Sequence, residues 1–209
     1  MEQKIEIIKQ WLGNGSINVF GLPFSGKDTV GVRLAEQLGA KFLSSGLILR
    51  AAESEDSTLA EMLSNGNLAP TQTFRNIILP YFGREELANS PLVLSSVGRW
   101  EGEEYPVMEA AEKAGHKIKA VVLLNISEDE AQKRWEAAKA LGDRGDRSDD
   151  RERNVLENRF KEFRDKTMPV IKTYQSMGIL LPVQGIGERD EVFGNVIDSL
   201  VRLAQSSNN

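Results

Sequence analysis

Residues 21–29 read Gly21-Leu22-Pro23-Phe24-Ser25-Gly26-Lys27-Asp28-Thr29, and no other stretch of the chain restricts its fold as tightly. The apolar run Ile17-Asn18-Val19-Phe20 before it has the character of a buried strand. After it, Val30 to Leu38 carries apolar residues at helical spacing and stops at Gly39. A strand, a glycine loop with a lysine, and a helix form the layout of a phosphate-binding loop. Such a loop turns several backbone N–H groups toward one point. The helix N-terminus adds partial positive charge and Lys27 adds a full one. The pattern predicts that Gly21, Pro23, Phe24, Ser25, Gly26, Lys27, Asp28 and Thr29 surround the phosphates of a nucleoside triphosphate. The usual loop ends Gly-Lys-Ser/Thr; here Asp28 delays the hydroxyl of Thr29 by one place.

Four more strand candidates follow: Lys41-Phe42-Leu43, Leu92-Val93-Leu94, Ala120 to Leu124, and Leu180 to Val183. Helical patterns separate them, over 30–38, 47–64, 71–79, 103–114, 128–140, 150–177 and 189–204. Strands alternating with helices predict a parallel sheet covered on both faces, a three-layer α/β/α fold. Residues 2–12 form an extra amphipathic helix, with Ile5, Ile8, Trp11 and Leu12 on one face, inside an N-terminal segment 1–15. A helix-rich stretch at 45–80 and a charged loop at 141–150 are expected as insertions on the core.

The rest of the composition mainly excludes. A chain of 209 residues can bury a full core as one domain. Its net charge of −5 argues against a nucleic-acid partner. It has no cysteine, so neither a thiol nucleophile nor a cysteine-based structural zinc site is expected. No run approaches the length of a membrane span and no signal peptide is visible, which predicts a cytoplasmic protein with no membrane partner. The single histidine, His116, is expected as a loop residue without an acidic or serine partner. Histidine acid–base chemistry is therefore not anticipated.

Several segments, in order, resemble the adenylate kinases and related nucleoside monophosphate kinases. The loop at 21–29 is similar to their Gly-x-Pro-x-x-Gly-Lys-x-Thr. Ser44-Ser45-Gly46-Leu47-Ile48-Leu49-Arg50 resembles their Ser-Thr-Gly-Asp-Leu-Leu-Arg, and Gly66-Asn67-Leu68-Ala69-Pro70 their Gly-x-Leu-Val-Pro turn. Val93 to Arg99 stands where they have Ile-Leu-Asp-Gly-Phe-Pro-Arg, and Arg147-Ser148-Asp149-Asp150 matches their Arg-x-Asp-Asp. Arg159, Lys166-Thr167, Pro169, Tyr174, Gly185 and Asp190 to Phe193 continue the match, which spans roughly 16–204.

The resemblance implies a single phosphate-binding-loop kinase domain over 1–209 with a five-stranded parallel sheet. It makes 45–80 the monophosphate-binding insertion and 141–150 a short lid. It implies transfer of a phosphoryl group from MgATP to a nucleoside monophosphate, chemistry that needs cations around the transferring group and exclusion of water. By resemblance, Lys27 and Thr29 hold donor phosphates, while Arg50 and Arg99 grip the monophosphate. Arg147 and Arg159 approach the transferring group, Arg134 covers the donor adenine and Arg144 serves the lid. Gly187, in the turn Ile186-Gly187-Glu188-Arg189, meets the donor base. Ser45, Gly46, Leu68, Ala69 and Glu103 line the acceptor nucleoside. Lys27, Arg99, Arg147 and Arg159 form the expected catalytic set. Nothing demands more than a monomer.

The chain departs from the family pattern at three places. Leu47 and Ser95 replace two aspartates that order the Mg²⁺ water shell in the family, and Phe24 replaces a loop glycine. Asp28 stands where an ordinary phosphate-binding loop puts its Mg²⁺-binding oxygen, and it is the expected metal contact. The competing role for Asp28 is to cap the helix that begins there. The hydroxyl of Ser45 leans the acceptor toward AMP. Glu103, where the family has a glutamine, can accept from an exocyclic amine but cannot donate to a ring nitrogen. The alternatives are a CMP/UMP-type kinase, or a nucleotide-binding protein of this fold with weakened catalysis.

Overall fold

The computed structural model describes residues 1–52, 57–141 and 152–207. Five strands form one sheet: β1 (Ser16–Gly21), β2 (Lys41–Ser44), β3 (Leu92–Ser95), β4 (Ile118–Asn125) and β5 (Leu180–Gln184). Their order is β2-β3-β1-β4-β5 and every pairing is parallel. All C-terminal strand ends therefore open on the same edge. The chain goes from β1 to one side of the sheet for β2 and β3, then crosses to the other side for β4 and β5. A crevice forms at such a reversal, and ligands of open α/β sheets bind there.

The helices are α1 (Glu2–Leu12), α2 (Lys27–Leu38), α3 (Ser45–Ala52), α4 (Ser57–Ser64), α5 (Thr71–Ile77), α6 (Glu104–Lys113), α7 (Glu128–Leu141), α8 (Arg153–Glu162), α9 (Met168–Ser176) and α10 (Arg189–Ser206). Alternating strand residues feed two cores. Ile17, Val19, Val93, Ala120 and Val122 face α1, α2 and α10, packing with Ile8, Leu34 and Val196. Phe20, Leu92, Leu94 and Val121 face the opposite layer, with Val107, Trp135, Phe160 and Tyr174. β1 is buried along its whole length, whereas the edge strand β5 is half exposed. Among the described residues, no helix is long and apolar enough to cross a membrane.

Three helical expectations change in detail. The pattern over 47–64 resolves into α3 and α4, with 53–56 outside the described residues. The helix expected to reach 79 ends at Ile77, and a 3₁₀ turn over Leu79–Gly83 follows. Pro80 has no N–H to continue the α-ladder. The helix expected over 150–177 is α8 and α9 joined by a π-helical turn, Phe163–Thr167. Pro169 lies just beyond it. A proline ring collides with the carbonyl four residues back, here Asp165, and the wider turn removes that collision. His116 sits in the expected loop, yet it is almost fully buried, with Nδ1 3.2 Å from the Asn14 carbonyl.

Candidate active site

The loop between β1 and α2 closes because two positions admit no side chain of ordinary geometry. A Cβ on Gly21 would fall 2.3 Å from Ser25 Oγ and 3.0 Å from the Leu124 carbonyl. Gly26 caps α2 at φ 87°, a left-handed conformation that glycine adopts without penalty. Phe24 adopts φ 64° between them despite its Cβ, at a cost of about 1 kcal/mol. The first N–H groups of α2 have no partners within the helix and open toward the loop.

Two clefts meet at this loop. One is lined by Lys27 and Asp28 of α2, Ser45, Gly46 and Arg50 of α3, Leu68 and Ala69 of the α4–α5 turn, Arg99 and Glu103 after β3, and Arg159 of α8. Ten expected site residues from five segments thus share one cleft. The second, wider cleft is lined by Phe24, Ser25, Gly26 and Thr29 on one side and by Arg134 and Gly187 on the other. Gly21 and Pro23 support the loop and line neither cleft. Arg144, Arg147 and nearly all of the 141–150 segment lie outside the described residues.

The wall of the first cleft is braced from beneath. Asn18 of β1 donates to the Val97 carbonyl at 2.8 Å and accepts from the Val97 N–H at 3.3 Å, pinning the segment after β3. Ser45 donates to the Ser96 carbonyl at 2.7 Å, tying α3 to the same segment. Glu103 Oε2 accepts from the N–H groups of Arg99 (2.8 Å) and Trp100 (3.0 Å). The Ser45 hydroxyl and Glu103 Oε2 are therefore engaged by protein backbone, while Glu103 Oε1 is buried without a hydrogen-bond partner among the described residues. Burial pushes the Glu103 carboxyl above its ordinary range, and the two N–H bonds oppose that shift. Arg99 is pulled down to about 10, first by burial and then by the charge of Arg159. It stays cationic at neutral pH.

The Asp28 carboxylate does not cap α2, since Gly26 holds that position without a side-chain hydrogen bond. It accepts from Ser95 Oγ at 2.5 Å instead. A second carboxylate at position 95 would face the first at contact distance. Serine at 95 and aspartate at 28 are thus a matched pair. Leu47 stands half exposed. Among the described residues, no group of three or more acidic or histidine side chains could cage a metal. One carboxylate with nearby hydroxyls suits a Mg²⁺ that keeps most of its waters and is held through phosphate oxygens.

Arg134 spans the second cleft. It donates to the Gly185 carbonyl at 2.8 Å, the Ser25 carbonyl at 3.4 Å and Glu130 at 2.9 Å. Its edges are engaged, which leaves its planar face for stacking. Trp100, Asn67 and Ser96 also line the first cleft and were not anticipated. Trp100 could have been flagged by its place beside Arg99. Ser96 could not, because its left-handed φ of 51° has no local sequence signal. The π turn also had no signal beyond Pro169. It places Lys166 Nζ 3.9 Å from the Trp100 ring centre and 2.6 Å from Glu162.

The family model described as adenylate kinase matches residues 19–179. The chain belongs to the adenylate kinase family. It is 32% identical over 181 residues to an adenylate kinase of Thermus thermophilus, covering 84% of this chain and 91% of that protein. An adenylate kinase of Mycobacterium tuberculosis is 30% identical over 186 residues, covering 87% and 97%. One from Prochlorococcus marinus is 31% identical over 184 residues, covering 86% and 95%. The cationic cleft belongs to a family phosphotransferase, a nucleoside monophosphate kinase.

Proposed function

We propose that this enzyme transfers the γ-phosphoryl group of MgATP reversibly to AMP, forming two ADP. The convergence of Lys27, Arg50, Arg99 and Arg159 on one cleft beside the phosphate-binding loop carries this reading. Four cations from four segments are what a phosphoryl group needs when charge spreads over its oxygens. The names of the relatives supply AMP as acceptor.

In this reading the donor lies in the wider cleft. Its base stacks on Arg134 near Gly187, and its phosphates rest on Gly26, Lys27, Thr29 and the loop N–H groups. The acceptor lies in the other cleft, its phosphate in the forks of Arg50 and Arg99 and its nucleoside against Ser45, Gly46, Leu68, Ala69 and Glu103. Lys27 and Arg159 stand at the junction, where Arg147 and Arg144 would join from the charged segment. Mg²⁺, when bound, neutralises donor charge and orients phosphate oxygens, with Asp28 as its nearest carboxylate.

One observation favours a second reading of the acceptor. Backbone bonds engage the Ser45 hydroxyl and Glu103 Oε2, while the buried Glu103 Oε1 keeps an acceptor for an exocyclic amine, which adenine and cytosine both carry. CMP or another monophosphate is then also accepted. The test is product formation from MgATP with AMP, CMP, UMP, GMP and dTMP in turn, compared as kcat/KM. AMP ahead of the others supports the first reading, and CMP ahead replaces it with the second. Arg99→Ala should lower kcat with AMP at least roughly 100-fold while ATP binding survives, because the lost fork grips the acceptor alone. Undiminished turnover would remove Arg99 from the site.

A further inference from the structure

One carboxylate links two walls of the first cleft. Glu162 of α8 is nearly buried, and its Oε2 accepts from the Leu68 N–H at 3.0 Å and from Lys166 Nζ at 2.6 Å. Lys166 Nζ in turn stands 3.9 Å from the centre of the Trp100 ring. Leu68, in the α4–α5 turn, and Trp100, in the segment after β3, both line the first cleft. Glu162 and Lys166 line neither cleft, and none of the four residues lines the wider one. The link Leu68–Glu162–Lys166–Trp100 therefore runs outside the cavity from one wall to another.

The chemistry of this link makes it stiff. The Glu162 side chain is 9% exposed and that of Lys166 26%, so water and salt screen the pair little. A hydrogen bond between two ions is shorter and stronger than a neutral one. Indole is the aromatic ring that attracts a cation best, with a reach of about 6 Å. Glu103 fixes the Trp100 backbone, and Lys166 fixes the ring. The charge of Glu162 also supports the cationic form of Arg99 against its burial. Lys166 owes its place to the π-helical turn Phe163–Thr167, and such turns recur at functional sites.

We infer that Lys166 is a positioning residue: lying between Glu162 and the Trp100 ring, it sets the spacing of two walls that receive the acceptor. The inference rests on the proposed acceptor reading of the first cleft. It gives the π turn a part in substrate binding.

The test uses whichever of the five monophosphates has the highest kcat/KM. Lys166→Met should raise KM for that acceptor roughly three- to thirty-fold, the equivalent of one ammonium–indole contact. KM for ATP should change less than about two-fold and kcat less than about three-fold, the split expected when binding alone is weakened. In a Trp100→Leu background Lys166→Met should raise the acceptor KM by a smaller factor. An unchanged acceptor KM, equal rises for both substrates, or the same factor in both backgrounds would overturn the inference. Lys166→Met strands a buried carboxylate. Should it fail to fold, Lys166→Met/Glu162→Gln removes both charges and keeps an acceptor for the Leu68 N–H. The same rise in acceptor KM is expected there, and a native value would overturn the inference. With Trp11→Phe and Trp135→Phe in place, Trp100 is the only tryptophan left to emit. Lys166→Met should then shift its fluorescence in the free protein, and no shift would overturn the contact itself. Absence of transfer to all five monophosphates by the native enzyme would instead remove the acceptor reading, and the positioning role with it.

Discussion

Phe24 and Gly26 both take left-handed backbone inside one loop, and only glycine does so without strain. The Phe24 ring lines the wider cleft, with the Arg159 guanidinium carbon 5.9 Å from its centre. Glu103 shows the same economy in charge. It is almost fully buried and holds the Arg99–Trp100 backbone with one oxygen. Its folded pKa is raised above the ordinary carboxyl value of 4.5, so the native state binds its proton more tightly than the unfolded chain does. Stability from this group is therefore complete below pH 4.5 and is lost as pH rises through the raised folded value. Relative to Glu103→Gln, the native protein should gain stability as pH falls from 7 toward 4.5. Thermal unfolding of both proteins across that range would show it, and parallel curves would rule it out. Asp28 and Ser95 make a second pair. Asp28→Asn should raise the Mg²⁺ concentration for half-maximal rate about ten-fold, and adding Ser95→Asp should recover much of it by returning a carboxylate to the strand end. A Mg²⁺ titration unchanged in Asp28→Asn would leave the carboxylate with a purely structural part.

Elements differ in how far they serve the site. α1 buries Ile5, Ile8 and Leu12 against the α2–α10 layer and sends no side chain into either cleft. Deleting residues 1–12 should cost about 5 kcal/mol, the lower end of what burying three aliphatic side chains contributes. Urea unfolding measures that loss, and kcat at 25 °C should stay near the native value. A large fall in kcat with the fold intact would assign α1 a part in catalysis. The α4–α5 turn and α8 act as one unit by contrast. Asn158 donates to the Asn65 carbonyl at 2.8 Å and to Asn67 at 2.9 Å, and the Leu68 N–H donates to Glu162 at 3.0 Å. The helical character of both regions is visible in apolar spacing. Their docking is not, because Asn65 and Asn158 are far apart in the chain and neither is apolar.

At the scale of the whole molecule, both clefts lie along the C-terminal edge of the sheet and share the loop after β1. A single ligand of two adenosines joined through a polyphosphate chain should fill both. It should raise the unfolding temperature more than ATP or AMP alone, with stabilisation of about 2.7 kcal/mol at a hundred times its Kd. Equal shifts for all three ligands would mean that the clefts do not act together.

The amino-acid sequence by itself determined what local chemistry can encode. The 21–29 loop, the alternation of strands and helices, the parallel sheet and most element bounds follow from glycine placement and apolar period. The motif order identified the family. Tertiary structure alone decided the strand order, the convergence of Lys27, Arg50, Arg99 and Arg159, the Asp28–Ser95 contact, the Ser45–Ser96 bond and the Phe24–Arg159 contact. Each of these joins residues far apart in the chain, and the side-chain contacts among them are made by polar or aromatic groups. Such groups carry no periodic signal, and their partners are set only once the sheet has brought its strand ends to one edge.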